Sequence, residues 1–386
     1  IRVSEYWAPQ LGPRPSPMSD DDWREGFLEV FTGAVHERLR FPRGRVGSML
    51  SGGIDSGSIA AIANDTLKSR GGQPLRTYSA AQHSGVDCVE SRRIQASINH
   101  LGVNWTQIFP DTLAELDDEL HSSLEEPYDA SFLFMRAIFH AAAKDGMHAL
   151  LDGGSGDVVL NEGTYLIRLA RRGHVARAFH EVIAGQSFWE ESSVAPEIAR
   201  LAARAIIPQF TKSAIRPYRQ RREAKNFVSS SLISNEFAER TNIAKRCERM
   251  YEMFPTNWTS YEHERIRKIR PNVSAGRERY ARLAASAGME ARDPFLDRRL
   301  VDFCAHLPGH LLIRDGWPKA ILRDVMADKL PAEVCRGRGK PHVGWVFGSK
   351  FLEREKSRAR LTQTLSLIHI SEPTRPILVS RMPSSA

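Results

Sequence analysis

The chain has 386 residues, 41% hydrophobic and 26% charged, with a formal net charge of +8. That length exceeds one small domain and the balance is that of a globular enzyme; no run of about 18 apolar residues offers a membrane span. The basic excess is scattered over many arginines, which disfavours a nucleic-acid partner.

Cys88, Cys247, Cys304 and Cys335 lie far apart and form no C-x-x-C pair. A disulfide framework or zinc knuckle is disfavoured, and thiols in a reducing, cytoplasmic setting are expected. Residues 1–10 have no basic segment leading into an apolar core, so no signal peptide is expected. With no initiator Met, the chain reads as a fragment or processed form.

In chain order, residues 1–20 carry Pro9, Pro13, Pro15 and Pro17 and read as a linker or arm. A helix is predicted over 20–39, capped by Ser19 or Asp20, with Trp23, Phe27, Val30, Phe31, Ala34 and Val35 on one face. Strands are predicted over 45–50, 75–81, 104–109 and 148–151. Helices over 56–67, 90–101 and 131–144 alternate with them, and Gly102 stops the second. This β-α order predicts an α/β fold, a parallel sheet with right-handed crossovers and ligands at the carboxyl ends of its strands.

From about Leu166 the strand signals fade. Residues 165–350 read as helices broken near Pro208, Pro217, Pro255 and Pro271. The expected division is an arm (1–20), an α/β core (21–164), a helical part that completes the site (165–364) and a tail (365–386). The tail contains S-L-I-H-I-S-E-P-T-R-P, which looks like a translated sequencing-adapter read-through, and is set apart as non-native.

Two strings carry chemistry. The first is Leu50-Ser51-Gly52-Gly53-Ile54-Asp55-Ser56, between the first strand and its helix. Its glycines let backbone N–H groups turn toward one anion, the helix N-terminus adds positive potential, and Ser51 and Ser56 add hydroxyl donors. Asp55 would repel a bare phosphate, so it makes sense there with Mg²⁺ between. The plainer alternative is a capped strand–helix turn. The second string, Leu151-Asp152-Gly153-Gly154-Ser155-Gly156-Asp157, follows the fourth strand. Asp157 can face Asp55 across the sheet crest and complete an oxygen shell for Mg²⁺; the glycines let the backbone approach a nucleotide closely. Here the plainer alternative is a surface turn.

The first string resembles the pyrophosphate loop of the ATP pyrophosphatase superfamily and lacks the Gly-Lys-Ser/Thr ending of a Walker loop. Further on, Gly288-Met289-Glu290-Ala291-Arg292-Asp293-Pro294-Phe295-Leu296-Asp297, then Gly316-Trp317, Lys319, Leu322-Arg323, Leu330-Pro331 and Lys340, resemble the pattern of the asparagine synthetase family. The resemblance runs from about Tyr6 to Phe351. It implies a Rossmann-like ATP pyrophosphatase core, ATP and Mg²⁺ as cofactors, and an enzyme that adenylates a carboxylate and then forms an amide. It also implies that Ser51, Gly52, Gly53, Ser56 and Lys340 hold the phosphates, that Leu50 belongs to the same ATP-binding loop, that Asp152 and Gly153 line the adenosine and that Asp55 and Asp157 hold the metal. Glu278 is a candidate base.

Two departures matter. The glutamine-hydrolysing half of the family begins with a catalytic cysteine, whereas this chain starts at Ile1 where the second half would start. In asparagine synthetases proper the loop after the fourth strand reads S-G-E-G-S-D-E; its first Glu position is Gly154 here and the later one Val158. In detail the chain looks more like the macrolactam cyclases of lasso-peptide pathways. The resemblance therefore implies a carboxylate substrate and an amine donor, with a precursor peptide, a separate glutaminase or a leader-peptide-binding protein as partners. An asparagine synthase without its glutaminase half and a tRNA-modifying adenylase remain as alternatives.

Overall fold

The structure is a computed structural model that describes residues 18–40, 45–81, 88–109, 133–189, 193–206, 209–230, 234–252, 261–268 and 271–339. Lys340, most of the arm and the whole tail lie outside these residues. The described residues fall into two compact units, one holding 18–206 and 261–339, the other 209–252.

The first unit opens with helix α1 (Asp20–Arg38), capped by Ser19, whose hydroxyl and backbone exchange hydrogen bonds with Asp22. Both termini of this cap are satisfied reciprocally, which is why the helix starts where the sequence predicts. Strand β1 (Val46–Met49) follows, then α2 (Ile54–Ser69), β2 (Arg76–Ala80), α3 (Val89–Leu101), β3 (Asn104–Ile108), α4 (Leu133–Lys144) and β4 (Ala149–Leu151). Helix α3 stops at Gly102, which takes the left-handed conformation, φ 62°, that glycine adopts without steric cost. Beyond β4 come α5 (Gly156–Val159), α6 (Tyr165–Arg171), α7 (Val175–Trp189) and α8 (Ala195–Ile206).

Helices α9 (Gln209–Ser230), α10 (Asn235–Arg240) and α11 (Ile243–Glu252) form the second unit. The chain then returns to the first unit with α12 (Tyr261–Lys268), α13 (Pro271–Ala285), β5 (Glu290–Arg292), α14 (Arg298–His306), the hairpin β6 (Ile313–Arg314) and β7 (Trp317–Pro318), α15 (Ala320–Val325) and α16 (Ala332–Cys335).

The main sheet has the order β3-β2-β1-β4-β5 and every neighbouring pair is parallel. Its centre, β1, is buried throughout, with Ser48 opposite Thr77 on one side and Leu151 on the other. The chain runs outward in opposite directions from β1 and β4, and the carboxyl ends of strands at such a switch point are where ligands bind in open α/β sheets. The core below includes Phe27, Phe31, Leu50, Ile59, Leu151, Phe295 and Leu322. The rings of Phe31 and Phe295 are 5.0 Å apart and join α1 to the turn after β5.

The fifth strand departs from the expectation that nothing after Leu166 is extended. Its three residues, Glu-Ala-Arg, carry two charges around one small alanine and none is β-branched, so sequence pattern alone cannot distinguish them from a loop. They pair with β4 through Leu150 opposite Ala291 and Leu151 opposite Arg292. The family-like string from Gly288 to Asp297 is thus part of the sheet and delivers Asp293 to its carboxyl edge.

Candidate active site

Leu50 closes β1. Its side chain is in the core, its N–H donates to Tyr78 O at 3.0 Å, and its carbonyl accepts from Ser79 Oγ, so it anchors the loop from beneath. The chain then turns sharply at Gly52, φ 72°. A Cβ there would lie 2.9 Å from Glu90 O and 3.0 Å from Arg93 Cβ, so only glycine fits between the loop and α3. Ser51 and Ser56 face each other across the turn: the Ser51 N–H donates to Ser56 Oγ at 3.1 Å and the two hydroxyl oxygens are 3.0 Å apart. Gly53 caps α2, a 16-residue helix whose first turn carries Asp55. Two hydroxyls, a glycine turn and a helix N-terminus therefore converge on one small volume, an arrangement suited to phosphate oxygens.

The loop after β4 packs directly on this one. A Cβ at Gly153 would meet Asp55 Cβ and Ser56 N, each at 3.0 Å, and a Cβ at Gly156 would lie 2.7 Å from Asp55 Cγ. These glycines permit the contact between the two loops. Asp157, in the first turn of α5, is half-exposed.

Asp55 and Asp157 converge on one cation, Lys319. Its Nζ is 2.7 Å from Asp157 Oδ1 and hydrogen-bonded to Asp55 Oδ2. The lysine is buried and sits at the N-cap of α15 in the left-handed region, φ 59° and ψ 40°. Burial opposes its charge, but the carboxylates of Asp55 and Asp157 outweigh that and hold its pKa above the ordinary lysine value. Next to it Arg323 donates to Pro318 O and lies over the rings of Trp317 and Phe188, 5.0 and 5.3 Å from their centres. Burial lowers its pKa to about 10, so it remains a cation at neutral pH.

Asp152 does not lie open to a ligand. Its carboxylate is buried and takes both arms of the Arg277 guanidinium, and it also accepts from the Gly154 N–H. Asp293, from the end of β5, accepts from the N–H groups of Ser155 and Phe295, each at 3.0 Å, and lies 3.6 Å from Arg277. Burial and the neighbouring Asp152 push its carboxyl well above the usual carboxylate range. Tyr280 lies under Arg277 and donates to Met49 Sδ at 3.0 Å; burial keeps its phenol neutral.

The structure thus brings together Ser51, Gly52, Gly53, Asp55, Ser56, Gly153 and Asp157. Glu278 sits on α13 beside Arg277, is exposed, and is turned about 100° away from it around the helix axis. Lys340 lies outside the described residues. The segment before it is pinned at two points: Arg93 donates to Arg338 O and Gly339 N–H donates to Phe188 O, each at 2.6 Å. The space beside Gly154 is bounded, since a Cβ there would lie 3.0 Å from Asp152 Oδ1 and 3.4 Å from Arg277 Nη1. Lys319, Arg277 and Asp293 carry the site's electrostatics without being marked as site residues by the sequence. Lys319 and Asp293 stood inside the quoted family-like strings, which was the available signal; Arg277 had none.

A profile described as asparagine synthase matches residues 26–374. No curated protein matches the chain. Twenty-five solved chains do. One is the U34-tRNA thiolase NcsA from Methanococcus maripaludis with its 4Fe–4S cluster, 15% identical, covering 61% of this chain and 82% of that one at a TM-score of 0.26. So low a score carries no argument about this chain. No described helix is long and apolar enough to cross a membrane.

Proposed function

The chain belongs to the asparagine synthase family of ATP-using enzymes, and from that premise we propose that it forms an amide bond by way of an acyl-adenylate. A substrate carboxylate oxygen attacks the α-phosphorus of ATP, the α–β bond breaks and pyrophosphate leaves. An amine nitrogen then attacks the acyl carbon, AMP leaves, and the nitrogen gives up a proton. The observation that carries this reading is the meeting of the Ser51–Ser56 loop with Asp55, Asp157 and Lys319 at the point where strand order reverses.

In this reading Ser51, Ser56 and the N–H groups at Gly52 and Gly53 orient the β- and γ-phosphates, and Lys319 and Arg323 supply positive charge as pyrophosphate departs. Two carboxylates from opposite loops, completed by phosphate oxygens, suit a hard cation of the Mg²⁺ type. Bound there, Mg²⁺ would neutralise the phosphates. Lys340 is proposed as a further cation on pyrophosphate and Glu278 as the acceptor of the amine proton.

The acyl substrate is proposed to be a peptide carboxylate closed onto an amine of the same peptide, as in a macrolactam cyclase. Gly154 offers no carboxylate beside the adenylate where ammonia would need a proton acceptor. Incubation with aspartate, ammonium and Mg-ATP tests this against the asparagine branch. We expect asparagine formation far below about 1 per second, the low end of ordinary turnover; turnover at or above that rate would assign the chain to asparagine formation.

A further inference from the structure

Asp55 and Asp157 are the carboxylates that the proposed function gives to a divalent cation, and a buried lysine already bridges them. A dication and an ammonium cannot share two carboxylates: the cluster would carry three positive charges against two negative ones, with the lysine set back in a low-dielectric pocket. Among the described residues, moreover, no group of three His, Cys, Asp or Glu side chains is placed to hold a metal. A hard cation prefers about six oxygens, so the two carboxylates alone would hold it weakly, with water filling the shell, and phosphate oxygens arriving with the metal would strengthen it.

We propose that Lys319 occupies the cation position between Asp55 and Asp157 until a metal–nucleotide complex displaces it, so that the divalent ion enters only together with ATP. A bare cation would strip Lys319 of both partners and leave its charge buried and uncompensated, which is strongly unfavourable. A cation arriving on a triphosphate brings phosphate oxygens that the displaced ammonium can take as new partners, since the Ser51–Ser56 loop lies beside it. The backbone supports this fixed placement. Lys319 adopts φ 59°, a region that L-residues other than Asn and Asp seldom occupy, where the N-terminus of α15 meets the β6–β7 hairpin. The inference rests on reading the site as one for a metal–nucleotide complex.

The test uses Mn²⁺ as probe and the full chain, with free Mn²⁺ followed by electron paramagnetic resonance. Lys319→Gly removes the ammonium and suits the left-handed backbone, so the fold is kept. Without nucleotide, the wild type and Lys319→Arg should leave Mn²⁺ free at concentrations where Lys319→Gly binds one equivalent, a gain of at least about tenfold. Adding Asp157→Asn to Lys319→Gly should abolish that gain. With a non-hydrolysable ATP analogue, the wild type should take up Mn²⁺. Equal Mn²⁺ affinity of wild type and Lys319→Gly without nucleotide, whether tight or absent, would overturn the inference. Failure of the wild type to bind Mn²⁺ with the analogue would instead count against the proposed function.

Discussion

The guanidinium of Arg277 grips both carboxylate oxygens of Asp152, Nη1 to Oδ1 at 2.8 Å and Nη2 to Oδ2 at 2.9 Å. The pair ties helix α13 to the loop that carries Asp157. Lysine cannot reproduce the planar fork. Arg277→Lys should therefore loosen the loop and lower ATP-dependent turnover by about tenfold, while charge and fold are retained. Arg277→Met should also destabilise the protein, by about 3–5 kcal/mol, because it leaves Asp152 buried without its partner. Turnover assays and thermal melts measure the two effects. Unchanged turnover in Arg277→Lys would show that the fork does not position the loop.

Gly156 is the tightest contact between the two site loops, with its absent Cβ only 2.7 Å from Asp55 Cγ. Gly156→Ala should push Asp55 off its position and away from Lys319. A displacement of that size at a charged site should cost about 10²-fold in turnover. Titration of the variant with a metal–nucleotide analogue should show weakened binding. Wild-type binding and turnover together would mean that the loops can separate freely.

Lys340 follows the pinned segment that ends at Gly339. If it meets the departing pyrophosphate, Lys340→Ala should lower turnover by about 10²–10³-fold, the usual effect of losing one donor to developing charge, with a much smaller change in ATP affinity. Steady-state kinetics with the native substrate would separate the two parameters. Near-wild-type turnover would make Lys340 an ordinary surface lysine.

Asp297 couples α14 to α1. It accepts from Arg38 at 2.8 Å and from Arg299 at 2.9 Å. Burial opposes its ionisation, but the hydrogen bonds from Arg299 and Arg38 prevail and hold its pKa below the usual carboxylate value. Because the folded value is depressed, its stabilisation is present above about pH 4 and is lost as pH falls further. Asp297→Asn should cost about 2–3 kcal/mol at pH 7, the scale of hydrogen bonds to a charged group. The gap between variant and wild type in denaturant melts should narrow progressively as pH falls below about 4 and should close only well below about pH 3, as the depressed folded pKa is reached. A gap that stays constant across that range would mean that the charge of Asp297 contributes nothing.

Much of the sheet was legible because its strands are local and apolar. Met49, Leu50 and Leu151 announce buried strands, and the glycine-rich strings that follow them announce loops at their carboxyl ends. What was not legible depends on long-range pairing. Glu290–Arg292 is a strand only because β4 offers it a free edge, and its charged residues give no periodicity. Lys319 is 264 residues from Asp55 in sequence, and nothing near it says that its ammonium will sit between two carboxylates. Asp152 was legible as a loop residue, but not as the partner of an arginine that the sequence leaves unmarked on a helix 125 residues away.

The most direct test of the central claim is which bond of ATP is broken. The full chain is incubated with Mg²⁺, ATP labelled at the α-phosphate and a panel of carboxylate-bearing peptides that also carry a free amine, and the labelled nucleotide products are separated. The account predicts labelled AMP with an equal amount of pyrophosphate, formed only with an accepted peptide, accompanied by loss of one water from that peptide and abolished by Asp55→Asn or Asp157→Asn. Labelled ADP with inorganic phosphate would contradict it.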